Sequence, residues 1–268
     1  MDIATDQVHT ETSKQPHGRQ GMADVQTHAA GIVVGVGPPA GLGGALCRRF
    51  ARQGLHVFAA GRTAAQLAAV VDEITHSGGV ATPVVTDTTR EADVLRLFKA
   101  VEDSGAPLDV VAFNAGNNRW SPLLDTSTEM FEDLWRVCCL GGFLVGREAA
   151  RVMVARGRGS ILFTGATASL RGRPPFTAFA SAKAGLRSLT QAMAREFGPQ
   201  GIHVAHVVID GAIDGDKINL GLPEYAKSKG EDGMLNVDAI AGAFWYLHTQ
   251  HRSAWTQELD LRPFKEPF

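Results

Sequence analysis

From Gly31 onward the chain alternates between two kinds of apolar pattern. Short runs with little polar interruption, Ile32–Val36, His56–Ala60, Ala81–Val85, Leu108–Phe113, Ser160–Thr164, Ile202–Ile209 and Thr256–Leu261, predict strands. Several are rich in Val and Ile without alternation, as strands covered by helices on both faces are. Between them, helical periodicity predicts helices near 41–53, 64–76, 90–104, 128–156, 177–197 and 237–248. In the fifth of these Leu186, Leu189, Met193 and Phe197 form one stripe, and Gly198-Pro199 ends it. Strands alternating with helices predict an α/β fold, a single doubly wound domain over 29–268 with a parallel sheet and helices on both faces. The stretch Gly211–Asn236 is polar and rich in Gly and Lys, without periodicity, and reads as a loop-helix excursion over the top of the sheet, a lid. Residues 1–28, rich in Asp, Thr, Gln and His, contain no apolar signal core and read as a disordered tail or, since Met22 lies just before the first apolar run, as a mis-assigned start.

Composition narrows the partners. A hydrophobic content of 44% over 268 residues is enough for a large core, which excludes wholesale disorder. The net charge of -2 gives no electrostatic reason to expect nucleic acid or an anionic membrane surface. No apolar stretch approaches the ~20 residues of a membrane span. The three cysteines, Cys47, Cys138 and Cys139, do not make a disulfide framework and suit the reducing cytoplasm. No His or Cys pair has metal-ligand spacing.

The first strand runs into Gly35-Val36-Gly37-Pro38-Pro39-Ala40-Gly41-Leu42-Gly43, followed by a helix. Glycines in this position let the backbone approach a diphosphate, whose charge the helix N-terminus favours. Two registers fit, Gly35-x-Gly37-x-x-Ala40 and Gly37-x-x-x-Gly41-x-Gly43; a packing turn without ligand is the plain alternative. Pro38 and Pro39 lack N–H groups, so the loop offers fewer backbone donors. An NAD site places a carboxylate at the end of the second strand. This chain has Ala60-Gly61-Arg62-Thr63 there. The planar fork of Arg62 suits a 2′-phosphate, so NADP(H) is favoured over NAD(H); an ordinary solvated arginine is the alternative.

The second of those registers, the run Phe113-Asn114-Ala115-Gly116 and a helix containing Lys183 together resemble the short-chain dehydrogenase/reductase family, over about residues 30–262. The resemblance implies a Rossmann-like sheet of about seven strands, an NAD(P)(H) site and a small carbonyl or alcohol substrate. It implies cofactor contacts at Gly37, Gly41, Leu42 and Gly43, at Asp87 beside the adenine and at Thr88. It implies others at the Asn114, Ala115 and Gly116 backbone, at Lys183 on the nicotinamide ribose, and at Gly211 and Ile213. Asp87 also reads as an ordinary helix N-terminal carboxylate. Helices corresponding to 128–156 and 177–197 commonly pair between subunits in this family. Small residues there (Gly141, Gly142, Ala178, Ala180, Ala182, Ala184) permit close contact, so a homodimer or homotetramer is expected. Packing within one subunit would explain the same residues.

The family's redox machinery is an Asn, a Ser and a Tyr-x-x-x-Lys pair. In this chain Phe179-Ala180-Ser181-Ala182-Lys183 fills the last slot, the Ser slot falls on Ala166, and the Asn slot falls on Cys138. Only Lys183 survives. Phe179 has no proton to give, so the family's usual ketone reduction is not available. Substitutes are few: Thr167 could orient an oxygen, Cys138 could act as a thiol acid, and Asp210 could shuttle a proton if burial raised its pKa. Each also has a structural reading, as a backbone-bonded hydroxyl, a small core residue and a turn carboxylate. Tyr225 and Tyr246 read as packing residues, His203 and His206 as satisfied core histidines. Arg119 and Arg171 flank the cleft mouth, where they could select an anionic substrate or stand solvated. The chain therefore reads as an NADP(H)-dependent oxidoreductase with an atypical active site. A non-catalytic cofactor-binding or scaffold protein, or a lyase or isomerase on the same fold, is the alternative.

Overall fold

The computed structural model describes residues 28–266. The expected tail therefore lies outside the described residues, His28 excepted. The central sheet has seven parallel strands in the order β3-β2-β1-β4-β5-β6-β9. They are β1 (Ala30–Val34), β2 (His56–Gly61), β3 (Val80–Val85), β4 (Leu108–Phe113), β5 (Gly159–Thr164), β6 (Ile202–Ile209) and β9 (Glu258–Leu261). The helices between them are α1 (Leu42–Arg52), α2 (Ala64–His76), α3 (Glu91–Asp103), α4 (Thr128–Trp135), α5 (Gly141–Val154), α6 (Thr167–Leu170) and α7 (Thr177–Phe197). The lid holds two paired short strands, β7 (Ile213–Asp214) and β8 (Leu235–Asn236), with α8 (Asp216–Asn219) and α9 (Pro223–Lys229) between them; α10 (Val237–His248) follows.

Helices cover both faces, as the unalternating apolar runs require. On one face Val33, Leu46, Phe50, Leu67 and Phe244 join α1, α2 and α10 to the sheet. On the other, Ile32, Leu97, Val145, Met153 and Leu186 join α3, α5 and α7. All eight residues of β6 are buried. Each large side chain so enclosed contributes about 1.5–3 kcal/mol relative to exposure. The chain builds outward from β1 to β3, then restarts at β4 on the other side of β1. The carboxyl ends of β1 and β4 therefore open a crevice where doubly wound folds bind ligands.

Three expectations need correction. β1 ends two residues before the expected Val36, because Gly35 turns to φ 86° and leaves the strand. The expected 128–156 helix is interrupted by a π turn, Arg136–Leu140, which carries Cys138 and separates α4 from α5. The lid has the helices expected of a loop-helix excursion, but also a pair of short strands that were not expected. Its two-residue strands are too short to show a pattern, and Asn236 caps α10 by accepting from the Asp238 and Ala239 N–H groups at 2.9 and 3.0 Å.

Candidate active site

The glycine loop is shaped by packing on one side and left open on the other. A Cβ on Gly43 would stand 2.8 Å from the Gly35 carbonyl oxygen, and one on Gly44 2.3 Å from that of Pro39. Both glycines let α1 press against the loop. A Cβ on Gly37 would meet only the Gln66 side chain, at 3.9 Å. That open space lies in the loop leading into α1, whose N-terminal N–H groups no side chain caps. Leu42 is buried in the core, so only its backbone is available at the helix start. Arg48 steadies the loop from below by donating to the Pro39 carbonyl at 2.8 Å. A diphosphate fits this donor set: free amides, a helix N-terminus and room for a ligand. Arg62 stands exposed at the end of β2 and, among the described residues, forms no ion pair.

The other predicted cofactor residues divide. Asn114 ties the crevice together, its N–H donating to the Val34 carbonyl at 2.8 Å and its Nδ2 to that of Gly35 at 3.3 Å. Ala115 is buried beside Gly35, whose Cβ would stand 2.4 Å from its nitrogen. Asp87 spends one oxygen on its own turn, accepting from the Thr89 N–H and hydroxyl at 3.0 and 2.8 Å. Thr88 is buried, with its hydroxyl 2.8 Å from where a Cβ on Gly141 of α5 would stand. Gly211, at φ 155°, and Ile213 start the lid; a Cβ on Gly211 would strike Pro263 at 2.7 Å.

Lys183 forms the floor. It is buried, donates to the Thr164 carbonyl at 2.7 Å, and lies 5.9 Å from the centroid of the half-buried Phe179 ring, one helical turn away. Gly116 closes over it: a Cβ there would come 3.2 Å from Lys183 Nζ and 3.6 Å from Cys138 Sγ. Burial pushes the Lys183 ammonium below its ordinary pKa. Ala166 lies just past β5, at the start of α6, and its N–H donates to the Ser169 hydroxyl at 3.1 Å, so that serine serves the local turn.

Asp210 lies at the end of β6 and is 1% exposed. Thr167 donates its hydroxyl to Oδ1, Arg262 donates to Oδ2 at 2.7 Å, and Arg171 reaches both oxygens at 3.2 and 3.4 Å. Burial pushes the carboxyl pKa up, but the Thr167 hydrogen bond and the two guanidinium groups outweigh it and leave the pKa lowered. The condition for a proton shuttle, a raised pKa, is therefore not met. Thr167 in turn has its proton committed to Asp210. Arg171 is drawn inward to the same carboxylate, while Arg119 stays at the surface, 3.9 Å from Asp133.

Behind this floor lies a second polar group that sequence reasoning placed in the core as satisfied. His206 is wholly buried, and its Nδ1 lies 3.1 Å from Glu258 Oε2. Glu258 also receives Arg187 through Nε and Nη2 at 2.6 and 2.8 Å, which holds its pKa low. An ionised carboxylate only accepts, so Nδ1 carries the proton. Nε2 has no partner among the described residues and packs on Gly165, where a Cβ would come within 2.3 Å of it. The partners come from β6, α7 and β9, too far apart in sequence for any local signal to join them. Tyr225 lies in α9 under the Lys229 ammonium, and Tyr246 is exposed on α10. Among the described residues no cluster of His, Cys, Asp and Glu could hold a metal, and no helix is long and apolar enough to cross a membrane. A hollow of about 760 Å³ between α3 and α5, lined by Leu95, Phe98 and Val152, shares no residue with this site.

Residues 31–216 match the family model described as short chain dehydrogenase. A short-chain dehydrogenase/reductase of Hericium erinaceus, eriH, is 33% identical over 179 residues, covering 65% of this chain and 71% of that protein. A crystal structure of a short-chain dehydrogenase from Rhodopseudomonas palustris is similar at 41% identity and a TM-score of 0.75, covering 88% of this chain and 99% of that one. An actinorhodin polyketide ketoreductase solved with NADPH shares the fold at 21% identity and a TM-score of 0.82, over 91% of this chain and 99% of its own.

Proposed function

The chain belongs to the short-chain dehydrogenase family, and from that membership we propose an NADP(H)-linked oxidoreductase acting on a small carbonyl or alcohol through a non-standard site. The observation that carries the reading is the open space at Gly37, in the loop that leads into an uncapped helix, with Arg62, which forms no ion pair among the described residues, at the end of the neighbouring strand. When bound, the nicotinamide supplies or accepts hydride. The residues do the rest. The amides at the start of α1 receive the diphosphate, Arg62 the 2′-phosphate, and Lys183 the ribose hydroxyls. Phe179 and Ala166 wall the place where a substrate oxygen would stand and exchange no proton with it. Thr167 and Asp210 are committed to each other. The Lys183 ammonium, made more acidic by burial, is the remaining proton source on the floor, with the Cys138 thiol beside it. A positioned acid is worth about 10²–10⁴-fold, so turnover of ordinary ketones is expected to be slow.

Titration of the purified protein with NADPH and NADH tests the cofactor. NADPH should bind more tightly, and Arg62→Ala should weaken NADPH alone by about 10–100-fold, the loss of one charge-assisted contact. Equal affinities would remove the role of Arg62, and binding of neither would remove the site. The substitutions at Phe179 and Ala166 favour one second reading, a cofactor-binding protein without turnover.

Self-association as a dimer or tetramer is part of the proposal. Ala184 is exposed, but most of the small residues are used within the subunit. Gly142 meets Leu186 of α7 within the chain, and Ala178, Ala180 and Ala182 are buried. Support comes from exposed large hydrophobics, Phe131 and Trp135 one turn apart on α4 and Phe143 on α5 beyond the π turn. The free cysteines fit the cytoplasm.

A further inference from the structure

We infer that Lys217, on the lid, is a binding residue for the diphosphate of the dinucleotide, an inference that rests on the cofactor reading above. The lid does not stand apart from the crevice. Gly215 lies against the glycine loop, where a Cβ on it would be 3.2 Å from the Ala40 carbonyl oxygen and 3.6 Å from Gly41 Cα. Two residues on, Lys217 donates to the side-chain oxygens of Asn117, at 2.7 Å, and Asn118. Those asparagines directly follow Asn114–Gly116 at the end of β4. The lid thus meets the glycine loop through Gly215 and the loop after β4 through Lys217, two residues apart, at the two sides of the crevice.

Charge gives the bridge its meaning. Both described partners of Lys217 are neutral amides, and among the described residues it forms no ion pair. The residue is exposed overall, but its ammonium is partly desolvated beside the two asparagines, which pushes its pKa down. A desolvated cation without a counter-charge gains most from an anion placed beside it. The glycine loop supplies the complementary need. Pro38 and Pro39 give it no N–H at two positions, and Arg62 and Lys183 are taken by the 2′-phosphate and the ribose. Diphosphate entering between the loops would exchange the amide partners of Lys217 for a charged one and hold the lid down on the cofactor.

The test is NADPH binding, followed by nucleotide fluorescence, in Lys217→Gln, Lys217→Arg and the double variant Asn117→Ala/Asn118→Ala, with melting of each unliganded protein as the fold control. Lys217→Gln should weaken NADPH about tenfold at unchanged melting temperature. Lys217→Arg should restore most of it. The double asparagine variant should keep wild-type affinity or exceed it, because the ammonium is then freed for the diphosphate. Unchanged affinity in Lys217→Gln, or failure of Lys217→Arg to rescue, would overturn the inference while leaving the cofactor reading standing. A loss in the double variant equal to that in Lys217→Gln would also overturn it, by assigning Lys217 to a loop strap. If the wild type binds no NADPH, the cofactor reading itself has failed, and this inference with it.

Discussion

At His206, burial decides both protonation and pH response. Its ring is wholly enclosed between Glu258 and Gly165, and burial pushes its pKa from the ordinary 6.5 down to about 4. The unfolded chain then binds a proton on this side chain between those values that the folded chain does not. Stability from this residue is complete above the unfolded pKa and declines as pH falls from 6.5 toward 4, by up to ~3 kcal/mol. Urea denaturation at pH 7.5, 6 and 5 should show this decline, and His206→Asn should flatten it; equal slopes in the two proteins would contradict it. The residue scale also divides what the sequence reveals. Gly37, Asn114 and Lys183 sit in local patterns and were legible. The Asp210–Arg262 and Arg187–Glu258 pairs, 52 and 71 residues apart, were not, because only the closed sheet brings them together. The lowered pKa of Asp210 was hidden for the same reason.

Elements follow the apolar pattern wherever packing is continuous and depart from it where one residue breaks the backbone. The seven strands and most helices were legible because burial on both faces imposes long apolar runs. The end of β1 depended on the positive φ of Gly35, and the π turn before α5 left no mark on periodicity. That turn passes into Gly142, where α5 crosses close to α7: a Cβ there would come 2.4 Å from Leu186 Cδ1 and 3.5 Å from Phe113. Gly142→Val should therefore cost about 1–3 kcal/mol by overpacking, read as a lower denaturation midpoint with the m-value unchanged. A neutral result would mean that Leu186 has room to turn aside.

For the whole molecule, the sheet order opens a crevice at the carboxyl ends of β1 and β4, where the proposed dinucleotide site lies, and the lid crosses it from β6. The exposed Phe131, Trp135 and Phe143 lead to an expected dimer or tetramer mass by light scattering at micromolar concentration; a monomer mass would contradict self-association. The central claim is that the cofactor site persists while the proton machinery beside it has been replaced. It is tested most directly by NADPH oxidation with an activated ketone in the wild type, Phe179→Tyr, Ala166→Ser and the double variant. The account predicts slow wild-type turnover, little gain in either single variant, and a gain of about 10²-fold or more in the double variant, because both hydroxyls act on one substrate oxygen. Wild-type turnover at an ordinary rate near ~10 s⁻¹, or a double variant no faster than the wild type, would contradict it.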